Sequence, residues 1–175
     1  YELVKKYLLN NKSEDRVHLP IIWIHISADE NSRWWPHFSS RTTKCINQPY
    51  KYLTIKSIID RCGKDFNICL INDNSFYKLL PDWNIDISKM VDPLKSNMRK
   101  FAIAEILYKY GGMHVPSSFI CNRSLKVIYE KGIEDSGMFV GEIFNQSNQG
   151  PPLSNPGKDI YTPSSLFMGC TKDNA

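Results

Sequence analysis

The side chains best suited to chemistry stand at or near the ends of apolar segments. His25 lies near the end of PIIWIHI, Asp73 follows FNICLIN, and His114 stands in MHVPSSFIC. Imidazole and carboxylate groups can accept hydrogen bonds from a ligand or transfer protons to it. Short apolar segments are typical of buried strands, and ligands of open α/β sheets bind beyond the carboxyl ends of the strands. The sequence therefore predicts a ligand site at that edge of a sheet.

Glu142 is the one carboxylate embedded in an apolar strand-like segment, GMFVGEIFN, residues 137 to 145. Buried carboxylates are rare unless they have a partner. Glu142 is therefore the candidate for a catalytic acid or base, or for positioning an acceptor. Asn145, at the end of the same segment, is a candidate for substrate binding.

Each of the other candidates has a structural alternative. His25 and His114 are also consistent with core histidines whose hydrogen bonds are satisfied. Asp73 lies in NDNS, where it would suit a turn, and the functional interpretation is that it binds a ribose. Ser117 and Ser118 are either a solvated strand end or hydrogen-bond donors to phosphate.

The elements that must position these residues alternate along the chain. The apolar patterns predict strands over residues 19 to 27, 66 to 73 and 137 to 145, another in MHVPSSFIC and a last short one in SSLFMGC. They predict helices from Pro49 to Gly63, over residues 97 to 110 and in RSLKVIYEKG. This order predicts an α/β domain with a mainly parallel sheet flanked by helices. Gly111 and Gly112 end the second helix, and Pro116 predicts that the following strand is at an edge or irregular.

Length and composition indicate one globular domain, over residues 1 to 175. The chain is 42% hydrophobic and 23% charged, and its net charge is +4. The lysines and arginines are scattered, so we expect no nucleic-acid partner. No apolar run approaches the ~20 residues of a spanning helix, and the first residues lack a signal-peptide pattern, so we expect no membrane segment.

The five cysteines contain no CxxC pair. They therefore predict neither a zinc site nor a complete set of disulfides. A reduced, intracellular and cytoplasmic protein, or a virus-associated one, is the expectation. Three glycosylation sequons, at Asn11, Asn122 and Asn145, oppose it and are discounted as chance patterns in an Asn-rich chain.

Three segments carry a family resemblance over residues 19 to 145. PIIWIHI, then TIKSIIDRCGKDFNICLINDNSFYKLLP, then AEILYKYGGMHVPSSFICNRSL together resemble the capsular polysaccharide synthesis family and the related sugar transferases with an Asp-x-Asp motif. The most specific element is the helix that ends in LYKYGG before a strand. The variant with Pro-Ser-Ser after the turn also resembles uncharacterised proteins of large DNA viruses.

The resemblance implies a nucleotide-sugar glycosyltransferase with a GT-A, Rossmann-like fold. In that family, aspartates just beyond the Gly-Gly turn hold a divalent cation against the donor diphosphate. Here the matching positions are Pro116, Ser117 and Ser118. No metal or other cofactor is therefore expected. The alternative is that Mn²⁺ or Mg²⁺ binds without the carboxylate ligands that usually hold it.

A second departure lies at the start of the same helix. Where the family carries Ser-Asp and then Arg, this sequence has Arg99, Lys100 and Ile103. Arg99 and Lys100 are either solvated helix residues or, if they face the cleft, a metal-independent means of neutralising a diphosphate.

Two functional hypotheses follow from the resemblance. The first is a glycosyltransferase that uses a nucleotide-diphosphate sugar and a glycan or protein acceptor. In it, Arg99, Lys100, Ser117 and Ser118 surround the diphosphate and Glu142 lies near the reacting carbon. The second is a catalytically inactive domain that binds a protein partner, such as a component of a virus particle. The family's domains are longer, so the resemblance also predicts that this chain is a fragment.

Overall fold

The computed structural model describes residues 18–26, 49–142 and 163–174. These residues form an α/β domain with one five-stranded sheet flanked by helices. The strands are β1 (Ile21–His25), β2 (Asn67–Ile71), β3 (Gly112–His114), β4 (Met138–Glu142) and β5 (Pro163–Cys170). The α-helices are α1 (Pro49–Cys62), α2 (Phe76–Leu79), α3 (Leu94–Tyr110) and α4 (Lys126–Glu134). Short 3-10 helices span Asp73–Ser75 and Ile87–Lys89.

The sheet has the strand order β2-β1-β3-β5-β4. β1 pairs in parallel with β2 and β3, whereas β5 pairs antiparallel with both β3 and β4. The sheet is therefore mixed, and the expectation of a mainly parallel sheet is not confirmed. The carboxyl ends of β1, β2 and β3 nevertheless point to the same end of the sheet, as the sequence predicted.

Helices cover both faces of the sheet and divide the core in two. On one face, Ile22 and Ile24 of β1 pack in a cluster with Ile55 and Ile58 of α1. On the other face, Trp23 packs in a cluster with residues of α2 and α3. Successive strand residues point to opposite faces, so a continuously apolar β1 contributes to both clusters.

The turn between α3 and β3 depends on its two glycines. Gly111 and Gly112 have φ values of 69° and 96°, a region that side chains with a Cβ rarely adopt. A Cβ on Gly112 would lie 2.2 Å from the Ile21 carbonyl oxygen. The indole nitrogen of Trp23 donates to the Gly111 carbonyl at 2.9 Å, which fixes the turn against β1. The predicted helix stop is confirmed.

Pro116 follows a strand that ends early. β3 lies inside the sheet, between β1 and β5, and ends at His114. The Val115 amide donates to the Trp23 carbonyl at 3.1 Å, and the chain then turns so that the Phe119 amide donates to the Pro116 carbonyl at 3.0 Å. Of the two predicted alternatives, the strand is irregular rather than at an edge.

Within the described residues, no helix has both the length and the apolar character needed to cross a membrane.

Candidate functional site

Three residues that were predicted separately meet in one hydrogen-bonded group at the carboxyl ends of β1 and β2. Nε2 of His25 lies 2.9 Å from Oδ1 of Asp73. Nε of Arg99 donates to the same oxygen at 2.8 Å, and Nη2 of Arg99 donates to Oδ2 at 2.6 Å. The arginine therefore binds the carboxylate in a bidentate manner. We call these three residues the Asp73 cluster.

Asp73 is positioned by the short turn that follows β2. The side chain of Asn72 accepts from the Ser75 amide at 3.1 Å, and the Asn72 amide donates to the Ser75 hydroxyl at 3.0 Å. This reciprocal capping starts the 3-10 helix at Asp73. Asn72, and not Asp73, therefore has the turn-forming role, which leaves the Asp73 carboxylate available to other elements.

His25 is held by its strand and by an aromatic neighbour. It pairs in register with Ile71 of β2, and the Ile26 amide extends the ladder to the Ile71 carbonyl at 2.8 Å. The imidazole stacks on the buried ring of Phe76, with centroids 5.6 Å apart and planes 10° apart. These contacts fix the ring so that Nε2 faces Asp73.

Arg99 comes from the second turn of α3. The start of that helix is held by Asp92, whose carboxylate accepts from the Ser96 amide at 3.1 Å and also from the Ser96 hydroxyl. The side chains of the Asp73 cluster remain 11% exposed for His25, 15% for Arg99 and 25% for Asp73. The cluster is therefore partly buried, and each of its three side chains keeps some surface open to solvent.

Hydrogen bonding keeps Asp73 ionised. Partial burial disfavours the carboxylate, but hydrogen bonds from His25 and Arg99, together with the charge of Arg99, hold the pKa of Asp73 well below its usual range. An ionised carboxylate can only accept, so Nε2 of His25 must carry the proton that it donates. In neutral His25, Nδ1 is then the nitrogen that can accept a ligand hydrogen or take a proton.

His114 lies beside this cluster on the same face of the sheet. It pairs in register with Trp23, two residues before His25, and is 5% exposed. Among the described residues, its Nδ1 is one of two buried polar side-chain atoms without a hydrogen-bond partner. Burial, and repulsion from His25 when that ring is protonated, lower the pKa of His114 to about 4. His114 is therefore a neutral imidazole at pH 7 with an unused polar atom.

The remaining candidates do not join the Asp73 cluster. Lys100 is exposed on α3. Ser117 and Ser118 occupy the turn after β3, where the Thr54 hydroxyl of α1 donates to the Ser117 carbonyl at 2.6 Å. Thr54 belongs to the helix on the opposite face of the sheet from α3, so this contact holds the backbone of the turn toward that other face.

Glu142 is not buried. It is exposed at the last position of β4, one of the two edge strands of the described sheet, where it pairs with Pro163. The prediction that this carboxylate is buried in an apolar strand is therefore wrong, because its position on an edge strand leaves it in water. Asn145 lies outside the described residues.

Sequence reasoning did not identify three positioning residues, which are Phe76 in the site and Thr54 and Ser57 beside the turn after β3. Phe76 supports His25, while the hydroxyls of Thr54 and Ser57 hold the chain that follows β3. Phe76 directly follows NDNS in the sequence. An aromatic residue next to a polar turn is the feature that could have indicated its role in supporting the site. In the described parts of the chain, no group of three or more His, Cys, Asp or Glu side chains is placed to hold a metal ion.

Comparisons with protein-family models, with curated proteins and with solved structures return no match for this chain.

Proposed function

We propose that this chain is a glycosyltransferase-like domain of the GT-A type that binds a nucleotide-diphosphate sugar at the carboxyl edge of its sheet. The observation that carries the proposal is the Asp73 cluster, with neutral His114 beside it. The partly exposed Asp73 carboxylate and His25 imidazole offer an acceptor and a hydrogen-bonding ring nitrogen for the hydroxyls of a ribose or a sugar, and buried His114 lies behind them. The order of the segments around LYKYGG supports the choice of this enzyme class.

Donor binding would not depend on carboxylate-held metal. In the turn after β3, Ser117 and Ser118 offer neutral hydroxyls. The family that the sequence resembles carries aspartates at this turn. The cationic group at this edge is Arg99, which Asp73 holds by two hydrogen bonds. A donor phosphate that approached Arg99 would therefore share it with Asp73.

Thermal unfolding of the protein with nucleotide-diphosphate sugars, each with and without Mn²⁺, tests this proposal. A donor at a hundred times its dissociation constant adds about 2.7 kcal/mol, a rise in Tm of roughly 5–10 °C for a domain of this size. We expect the same rise with and without Mn²⁺. Absence of a rise with every donor, for a protein that unfolds cooperatively, would rule out the donor site.

Matched variants on α3 connect the binding to the Asp73 cluster. Arg99→Met should remove the rise in Tm, whereas Lys100→Met, which removes the adjacent exposed charge, should preserve it. Equal loss in both variants would indicate a diffuse electrostatic effect instead of this site.

A second candidate function is a catalytically inactive binding domain. It is favoured by the engagement of both Asp73 oxygens, because a carboxylate saturated by Arg99 and His25 is a poor base. This candidate predicts the rise in Tm with a donor but neither sugar transfer nor donor hydrolysis, which product analysis by mass spectrometry distinguishes.

A further inference from the structure

Two cysteines far apart in the sequence lie in contact inside the core. Sγ of Cys62 and Sγ of Cys121 are 3.6 Å apart, and the residues are 59 positions apart in the chain. Both are buried, at 0% and 3% exposure, in the cluster that α1 forms with the sheet. Neither the number nor the spacing of the cysteines indicated this pair.

The backbone of each of the two cysteines is held by a hydrogen bond to another residue. Cys62 is the last residue of α1, and the Phe66 amide donates to its carbonyl at 2.9 Å. The Cys121 amide donates to the Ser57 hydroxyl of α1 at 2.9 Å. The two backbones therefore hold the thiols beside each other without a covalent bond.

We propose that Cys62 and Cys121 form a disulfide when the chain meets a thiol-oxidising partner such as glutathione disulfide. A disulfide bond is about 2.05 Å long, so the sulfurs must approach by roughly 1.5 Å, and the Cys121 thiol must release the Arg123 carbonyl, to which it donates at 3.0 Å. The bond would join the end of α1 to the segment that follows the Ser117–Ser118 turn. This inference does not depend on the proposed function.

The reaction is an ordinary thiol–disulfide exchange. One cysteine thiolate attacks glutathione disulfide, forms a mixed disulfide and releases one glutathione thiolate. The other cysteine thiolate then attacks the protein sulfur of the mixed disulfide and releases the second glutathione. Two protein thiols lose two electrons and two protons in total, and one glutathione disulfide is reduced to two thiols.

Burial decides when this bond forms. Burial raises the pKa of Cys62 to about 12, so its thiolate is scarce at pH 7, and burial also keeps glutathione disulfide away from both thiols of the folded protein. Oxidation should therefore be slow in the folded chain and fast during refolding, when both thiols are exposed. Once formed, the bond is shielded from reductants by the same core.

The other cysteines serve as internal controls. Cys69 is held in β2, where burial also raises the pKa of its thiol to about 12. The Cys170 thiol in β5 donates to the Leu107 carbonyl at 3.2 Å. Among the described residues, Cys62 and Cys121 are the only two cysteines whose sulfurs lie in contact.

The test is to refold the reduced, denatured full chain in a glutathione redox buffer and to map the cysteines by mass spectrometry of alkylated, unreduced peptides. We expect a Cys62–Cys121 peptide pair that is 2 Da lighter than the reduced peptides, while Cys69 is alkylated. Closing a loop of this length should raise Tm by roughly 10 °C relative to the reduced protein.

Variants distinguish this bond from general oxidation. Cys62→Ala and Cys121→Ala should each abolish the increase in Tm on oxidation, whereas Cys69→Ala should retain it. The proposal is overturned if Cys62 and Cys121 are alkylated as fully as Cys69 after oxidative refolding. It is also overturned if either is found bonded to Cys45 or only to glutathione.

Discussion

At the scale of single residues, Asp73 is the group on which the cluster depends. It accepts three hydrogen bonds from two other elements of the fold, the end of β1 and the start of α3. Without the carboxylate, Arg99 would keep its charge in a partly buried position with a weaker acceptor. Such a loss is costly because hydrogen bonds to charged groups contribute more than neutral ones.

Asp73→Asn should therefore lower the free energy of unfolding by roughly 1–3 kcal/mol at pH 7, a range that allows for the partial exposure of the group. Urea denaturation measures this loss. The matched control is Asp60→Asn, which breaks the exposed pair between Lys56 and Asp60 on α1 and should change stability by less than about 0.5 kcal/mol. Equal effects in the two variants would show that the Asp73 cluster is no more than a surface ion pair.

At the scale of elements, the close approach of β3 to β1 depends on Gly112. An alanine there would combine a strained φ of 96° with a Cβ inside the contact distance of the Ile21 carbonyl oxygen. The clash involves backbone on both sides, so neither strand can yield without breaking the parallel pairing.

Gly112→Ala should destabilise the protein by more than about 2 kcal/mol, as judged by thermal or urea unfolding. Ser118→Ala, a change at an exposed position in the turn that follows β3, should stay within about 0.5 kcal/mol of the wild type. A tolerated alanine at position 112 would contradict the described path of the turn.

Most elements could be predicted from the sequence because their apolar patterns are local. The run around Trp23 identified β1, and the spacing of Ile55, Ile58 and Cys62 identified α1. The short helices Asp73–Ser75 and Phe76–Leu79 were missed because three or four residues carry no measurable period.

The site was harder to predict than the elements, because its contacts join distant parts of the chain. The sequence named His25, Asp73 and Arg99 individually, but their contacts span 48 and 26 positions, and no local pattern encodes those pairs. The predicted burial of Glu142 is wrong for a related reason. Whether a strand is internal or at an edge depends on its partners, and an apolar composition does not reveal them.

At the scale of the whole molecule, buried histidine links stability to pH. His114 has a pKa of about 4 in the folded protein against an ordinary value of 6.5. The unfolded chain therefore binds more protons between these values, and stability must fall as pH drops through that window. Asp73 acts outside this pH window. Its pKa is lowered in the folded protein, so its contribution to stability is lost only as pH falls below 3.8, the ordinary pKa of an aspartate.

The free energy of unfolding should decrease by up to about 3 kcal/mol between pH 7 and pH 4 through His114. His114→Phe should flatten this part of the profile, as followed by urea denaturation at several pH values. His18→Gln, which removes an exposed histidine, should leave the slope unchanged. A wild-type profile that is flat from pH 7 to pH 4 would contradict the burial of His114.

The position of β5 has a consequence for synthesis on the ribosome. β5 lies between β3 and β4, although it follows both in the chain. Among the described strands, β3 has one open side and β4 has no partner as the nascent chain emerges, until residues 163 to 170 have been made. The sheet must therefore be completed late, and pulse proteolysis of chains stalled before and after this segment should show protection of β4 only in the longer ones.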